Sequence, residues 1–229
     1  MILEDNFRQD FYNKLKTGDK SVVLIVSVDA DALCTTQILT HLLNCDDVPY
    51  SIRTVEGWGS IEEIFAESQE QKCNYVFINC GATRSLSRLP AASTAFVLDS
   101  HRPFHIENVF TNEQVHLLIN NSEMSELQLP DVDTVLLPEE DSDSDEDDDE
   151  GAPYEQHMEN IQIRAIKSEK KQLWERQRQR LLWKYYEFTW FSSPSCVTLL
   201  ELAADMNRVS AEMMWFAAVG LNSAYNDRL

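Results

Sequence analysis

No run of eighteen apolar residues occurs in the 229-residue chain, and Met1 to Asp10 has neither the basic start nor the apolar core of a secretory signal. A soluble, intracellular protein with no membrane partner is therefore expected. No Cys-x-x-Cys pair occurs among Cys34, Cys45, Cys73, Cys80 and Cys196, and their number is odd. A disulfide framework and a zinc site are thereby disfavoured, and reduced, mostly packed thiols are expected. Basic residues are also scarce, 19 against 39 acids for a net charge of -20. A surface so negative repels the phosphate backbone, which argues against a general duplex-coating role and leaves proteins, or nucleic acid met on a local basic strip, as partners. Hydrophobic residues nevertheless make up 43% of the chain, enough to bury a sizeable core.

The charge divides the chain. Residues 139–150 hold ten acids and no base, whereas residues 164–184 carry eight bases against Glu169 and Glu175. A tract that repels itself and has nothing apolar to bury is expected to be a disordered loop, so three regions follow: 1–138, a loop at 139–153, and 154–229. In the first region Val22–Val28 is a β-branched run of the kind buried on both faces of a parallel sheet. A helix is predicted over Ala32–Leu43, a strand over Tyr50–Val55, a helix over 60–71 with Ser60 and Glu63 in capping-box register, and strands over Tyr75–Ile78, Ala95–Leu98 and Val115–Ile119. This alternation predicts an α/β fold, a doubly wound, mostly parallel sheet, followed by an all-helical extension. In that extension no Gly or Pro interrupts Tyr154 to Phe191, so one or two long helices are expected there, then shorter apolar ones over Cys196–Met206 and Ala211–Leu221.

Three motifs fall where predicted strands end: Asp29-Ala30-Asp31, Asn79-Cys80-Gly81 and Asp99-Ser100-His101-Arg102. In a doubly wound sheet the carboxyl ends of the strands line one edge, where ligands bind. Oxygen and imidazole ligands there suit Mg or Mn, which hold phosphate and activate water. Taken singly, each aspartate is an ordinary cap or turn residue; three in matching topological positions shift that balance.

The order Asp-x-Asp, Asn-Cys-Gly, Asp-x-His resembles the DHH phosphoesterase superfamily, which includes the RecJ-like single-strand exonucleases. The stretches Val28–Cys34, 78–82 and 99–103, the acidic tract leading to a basic helix, and the ending Trp215-Phe216-Ala217-Ala218-Val219-Gly220-Leu221 are closest to its eukaryotic replication-factor branch. The resemblance covers the whole chain and implies the N-terminal part of a longer protein. Active members of the superfamily carry a metal-binding carboxylate where this chain has Asn79 and a second histidine where it has Arg102. An amide is a weak ligand and a guanidinium repels a metal. Ala32 in place of the usual glycine after Asp-x-Asp also crowds the turn. The resemblance thus implies a pseudo-enzyme with no catalytic residue, no metal and no cofactor, its degenerate site at Asp29, Asp31, Asn79, Asp99, His101 and Arg102 held by ion pairs from Arg102. It further implies a nuclear DNA-replication subunit that joins the Mcm ring and the GINS complex and offers a contact for single-stranded DNA. The alternatives are an active manganese-dependent phosphodiesterase of the same superfamily and, from the acidic tract alone, a histone-binding module.

Three further features stand apart. Ser142 and Ser144 each have an acid three residues on, the pattern acidophilic kinases favour. Arg176, Arg178 and Arg180 form a basic strip that reads as a solvated or protein-contacting face ahead of a DNA contact. Met213, Met214, Trp215 and Phe216 serve either as core or as interface, with core favoured by their spacing.

Overall fold

The computed structural model describes residues 1–4, 6–68, 71–136 and 154–227. The chain divides into two compact units, one formed by 1–127 with 189–229 and the other by 128–188.

The first unit is built on strands that the β-branched and aromatic runs supply: β1 (Ile2–Leu3), β2 (Ser21–Ser27), β3 (Tyr50–Val55), β4 (Cys73–Ile78), β5 (Thr94–Leu98) and β7 (Val115–Leu118). They form one six-stranded sheet in the order β1-β7-β5-β4-β2-β3, and every pairing is parallel. All six residues of β4 are buried, as expected of a central strand covered on both faces. The chain leaves β2 through α2 (Ala30–Cys45) to β3 on one side, then returns through α3 (Trp58–Glu67) to β4 on the other. The order therefore reverses at β2 and β4, which places the switch-point crevice beside Asp29 and Asn79.

The strands expected from the hydrophobic runs all form, with boundaries within two residues of the runs. The helix starts depart from expectation for a local reason. α2 begins at Ala30 because Asp29 is its N-cap, its carboxylate accepting the Ala32 amide at 2.8 Å. α3 begins at Trp58 behind Gly57, so Ser60 lies inside the helix and the Ser60–Glu63 capping box is not formed. Ahead of β2, a π-helical turn (Arg8–Tyr12) runs into α1 (Asn13–Thr17), and Phe11, Tyr12 and Leu15 join the core. After β5 come β6 (His101–Arg102), α4 (Ile106–Phe110) and, beyond β7, α5 (Asn121–Met124).

The second unit contains α6 (Val132–Val135) and α7 (Tyr154–Tyr186), the long helix expected from its composition. After it the chain rejoins the first unit: β8 (Trp190–Phe191) pairs antiparallel with β6, and α8 (Ser195–Asp205) and α9 (Ala211–Asp227) pack on α2. The division thus differs from the cuts suggested by charge, because the last two helices belong with the sheet and not with α7. Gly220 permits that packing. A Cβ there would lie 2.6 Å from Cys196 Sγ and 3.3 Å from Cys34 Cβ, so α9 reaches α2 and α8 only without a side chain at this position.

Candidate functional site

The ends of β2, β4 and β5 bring the three motifs together. Asn79, directly after β4, has a left-handed backbone (φ 51°), a conformation Asn tolerates better than most residues, and its amide donates to the Leu98 carbonyl at 2.8 Å. Its side chain thereby lies between the two carboxylates of the first motif. Nδ2 donates to Asp29 Oδ1 at 3.0 Å and to Asp31 Oδ2 at 2.8 Å, while Oδ1 accepts the Ser195 hydroxyl at 2.5 Å. The amide orientation follows from this arrangement: the flipped amide would set its oxygen against two carboxylates.

Asp31 is buried and serves a second purpose. Its Oδ2 accepts the Ser195 amide at 2.8 Å and its Oδ1 the Cys196 amide at 3.0 Å, the first two N–H groups of α8. Pro194 stands at the N-cap of α8 and offers no side-chain cap, so a carboxylate from 164 residues earlier in the chain satisfies those orphan donors and meets the positive end of the helix. Asp31 thus serves two helices. It sits in the first turn of α2 and faces the N-terminus of α8 as well.

The second half of the site centres on buried Asp99. Its Oδ2 accepts the Ala82 amide at 3.1 Å, and its Oδ1 accepts the His101 amide at 3.0 Å and lies 2.6 Å from His101 Nδ1. Arg102 departs from expectation. It was expected to form ion pairs with Asp29, Asp31 and Asp99, but its Nε pairs with Glu123, and its Nη1 donates to the Asp99 and His101 carbonyls at 2.6 and 2.8 Å. The guanidinium also lies 4.0 Å from the Phe104 ring. Glu123 lies 21 residues on, in α5, and is the acid paired with that buried cation among the described residues.

The donor set does not fit a divalent cation. Asp29 and Asp31 present their facing oxygens to an NH2 group, Asp31 spends both oxygens on backbone amides, and Asp99 spends one oxygen on the Ala82 amide after β4 and the other on His101. Among the described residues no group of three or more His, Cys, Asp or Glu is placed to hold a metal ion. Beside the site lies a cavity of about 290 Å³ whose walls include Ser27, Trp58, Asn79, Arg84, Asp99 and His101. Cys80 borders it, and burial, with Asp99 and Asp29 nearby, pushes its thiol above the ordinary range, which works against thiolate formation.

The sequence motifs identified Asp29, Asp31, Asn79, Asp99 and His101 as neighbours, and they are. Ser195, Cys196 and Glu123 were missed. The Ser-Ser-Pro-Ser helix break was the one local signal for Ser195, and nothing local points to Glu123. Ser142 and Ser144 lie outside the described residues. Arg176 and Arg180 are exposed, whereas Arg178 donates to the Val135 carbonyl at 2.7 Å. The core reading holds for Met213, 1% exposed, and half holds for Phe216, but Met214 and Trp215 are 53% and 68% exposed. They lie on the side of α9 turned away from α2, which the apolar spacing alone did not distinguish.

Fold and site together define a doubly wound α/β protein whose acidic strand-end motif is bound up in hydrogen bonds to its own chain. Residues 22–159 and 137–228 match the CDC45 family model, and the chain belongs to that family. It is 34% identical over 228 residues to the cell division control protein 45 homolog of Mus musculus and 32% identical over 236 residues to that of Homo sapiens. Those alignments cover 96% and 98% of this chain but 40% of each relative, so the chain spans about 40% of the length of the curated relatives it matches. The crystal structure of CDC45 from Entamoeba histolytica shares the fold, with a TM-score of 0.65 at 20% identity over 100% of this chain and 35% of that one. The replication-factor branch to which the motifs pointed and the family matched by the chain agree.

Proposed function

We propose that the chain acts as a non-catalytic DNA-replication factor of the nucleus, a degenerate DHH phosphoesterase that serves as a scaffold in the replicative helicase alongside the Mcm ring and the GINS complex, with single-stranded DNA as a candidate contact. The observation that supports a scaffold over an enzyme is the Asn79 amide, which donates to Asp29 and Asp31 at the place where a metal-dependent relative needs a third ligand. A catalytic carboxylate must keep lone pairs free for a metal or a proton; here they are spent on holding α8 to the sheet. The relatives named for cell division control make replication the process in which such a scaffold would work.

Two measurements test this reading. Tagged chain recovered from nuclear extract is expected to bring down Mcm and GINS subunits and not histones; recovery of histones alone would sink the proposal. Purified chain given Mn and labelled single-stranded DNA is expected to leave the strand intact. Cleavage that disappears in Asp99→Ala would establish the manganese phosphodiesterase in its place.

A further inference from the structure

Among the described residues, the second half of helix α7 has one side in contact with its own unit and one side exposed. The half-buried positions of its second half are Trp174, Arg178, Leu182 and Tyr185, three or four residues apart. Arg178 anchors that side to the segment of α6, its Nε bonded to the Val135 carbonyl and its guanidinium 5.7 Å from the Trp174 ring. At 3.6 residues per turn, Ile166, Leu173, Arg176, Arg180, Trp183 and Lys184 fall on the other side, in a band about 100° wide. Ile166, Leu173 and Trp183 are 54%, 58% and 76% exposed there, and the three cations are exposed with them. Glu169 lies within the band between Ile166 and Leu173 and Glu187 just beyond Lys184, so the stretch from Arg176 to Lys184 is basic around Trp183.

The spacing within the band is informative. Ile166, Leu173 and Arg180 are seven residues apart, and Glu169, Arg176 and Trp183 repeat at the same interval three residues further on, the positions through which one helix meets another. A single strand of nucleic acid would satisfy the arginines and stack on Trp183, but would leave Ile166 and Leu173 facing phosphate and water. A helix with carboxylates flanking a leucine seam covers both kinds of residue at once, and tryptophan and arginine are the side chains that most often dominate such contacts.

We infer that this face of α7 docks an acidic amphipathic helix of a protein partner. The band from Ile166 to Trp183 is about 26 Å long, the length of roughly 18 helical residues. The inference stands apart from the replication reading, since it concerns one helix face and holds or fails whichever complex the chain joins.

The test uses the full chain and fluorescence anisotropy with three labelled probes: a glutamate-rich helical peptide of about 18 residues with leucine at heptad positions, the same peptide with every leucine replaced by serine, and oligothymidylate of about 18 nucleotides. The leucine peptide is expected to bind at least roughly tenfold more tightly than either other probe. Trp183→Ala, Leu173→Ser and the pair Arg176→Glu with Arg180→Glu are each expected to weaken it by about tenfold or more, with the thermal midpoint unchanged because all four side chains are exposed. Equal binding of the two peptides, tighter binding of oligothymidylate, no binding of the leucine peptide, or affinity indifferent to these substitutions would each overturn the inference.

Discussion

Asn79 holds together two carboxylates that would otherwise repel. Its two amide hydrogens meet Asp29 and Asp31, its oxygen takes the Ser195 hydroxyl, and its side chain is buried among them. A neutral donor is what this position needs, so the substitution that would recreate the superfamily's usual carboxylate is expected to harm the fold. Asn79→Asp sets a third negative charge within hydrogen-bond distance of two others and removes the donors that both were using. A loss of about 2–4 kcal/mol at pH 7 is expected, measured by urea unfolding. The added carboxyl is repelled in the folded state and so holds its proton there above the ordinary range near pH 4. The variant's deficit should therefore be largest at neutral pH and shrink as the pH falls through that range. A variant as stable as the parent at pH 7 would mean that the site still has room for the charge, as a metal centre would.

At the scale of elements, α9 is held close to α2 and α8 by the absence of one side chain. Gly220→Ala raises helix propensity by about 1 kcal/mol in a free helix. Here the new methyl group would meet Cys196 Sγ at 2.6 Å and Asp31 Oδ1 at 3.2 Å, both on buried side chains. Overpacking of this kind costs about 1–3 kcal/mol, so a lower thermal midpoint is expected in spite of the better propensity. An unchanged or higher midpoint would show that α9 rests loosely on α2. Elements such as β2, β4 and β5 were legible because uninterrupted β-branched and aromatic runs have one physical outcome, burial in a parallel sheet, and the strand-end aspartates could be grouped from topology alone. Partnerships were not legible where they depend on distance through space. Asp31 caps a helix that begins 164 residues later, and Arg102 is neutralised by Glu123, an acid with no sequence mark to separate it from the other acids of the chain. The Ser60 cap was misplaced for a local reason: the Gly57-Trp58 corner starts the helix earlier than the serine does. The exposed side of α9 was missed because both of its faces are apolar.

For the molecule as a whole, the order of segments along the chain and their order in space diverge. The first unit is made of two pieces, 1–127 and 189–229, and the long helix and the acidic tract are an insertion between them. Much of what fixes the second piece lies inside that unit: the β6 and β8 pairing, the capping of α8 by Asp31, the Arg208 guanidinium on Asp46 at 2.7 and 3.1 Å, and the packing of α8 and α9 on α2. The two pieces should then depend on each other more than either depends on the insertion. Replacing 128–188 by a flexible linker of about 15 residues is expected to leave a protein that unfolds in one cooperative transition, with circular dichroism and tryptophan fluorescence coincident in urea. Ending the chain after Phe188 is the harsher change although it removes fewer residues. It strips Leu199, Leu202, Met213 and Ala217 from the core that Ile38 and Leu39 share, and leaves the carboxylates of Asp31 and Asp46 without the groups from α8 and the loop after it that they accept. Loss of the sharp transition is expected for that truncation. If the truncated chain unfolded as sharply as the parent while the linker chain did not, the insertion and not the two last helices would be completing the sheet, and the wiring of Asp31 and Asn79 to Ser195 would be a consequence of the fold with no part in holding it.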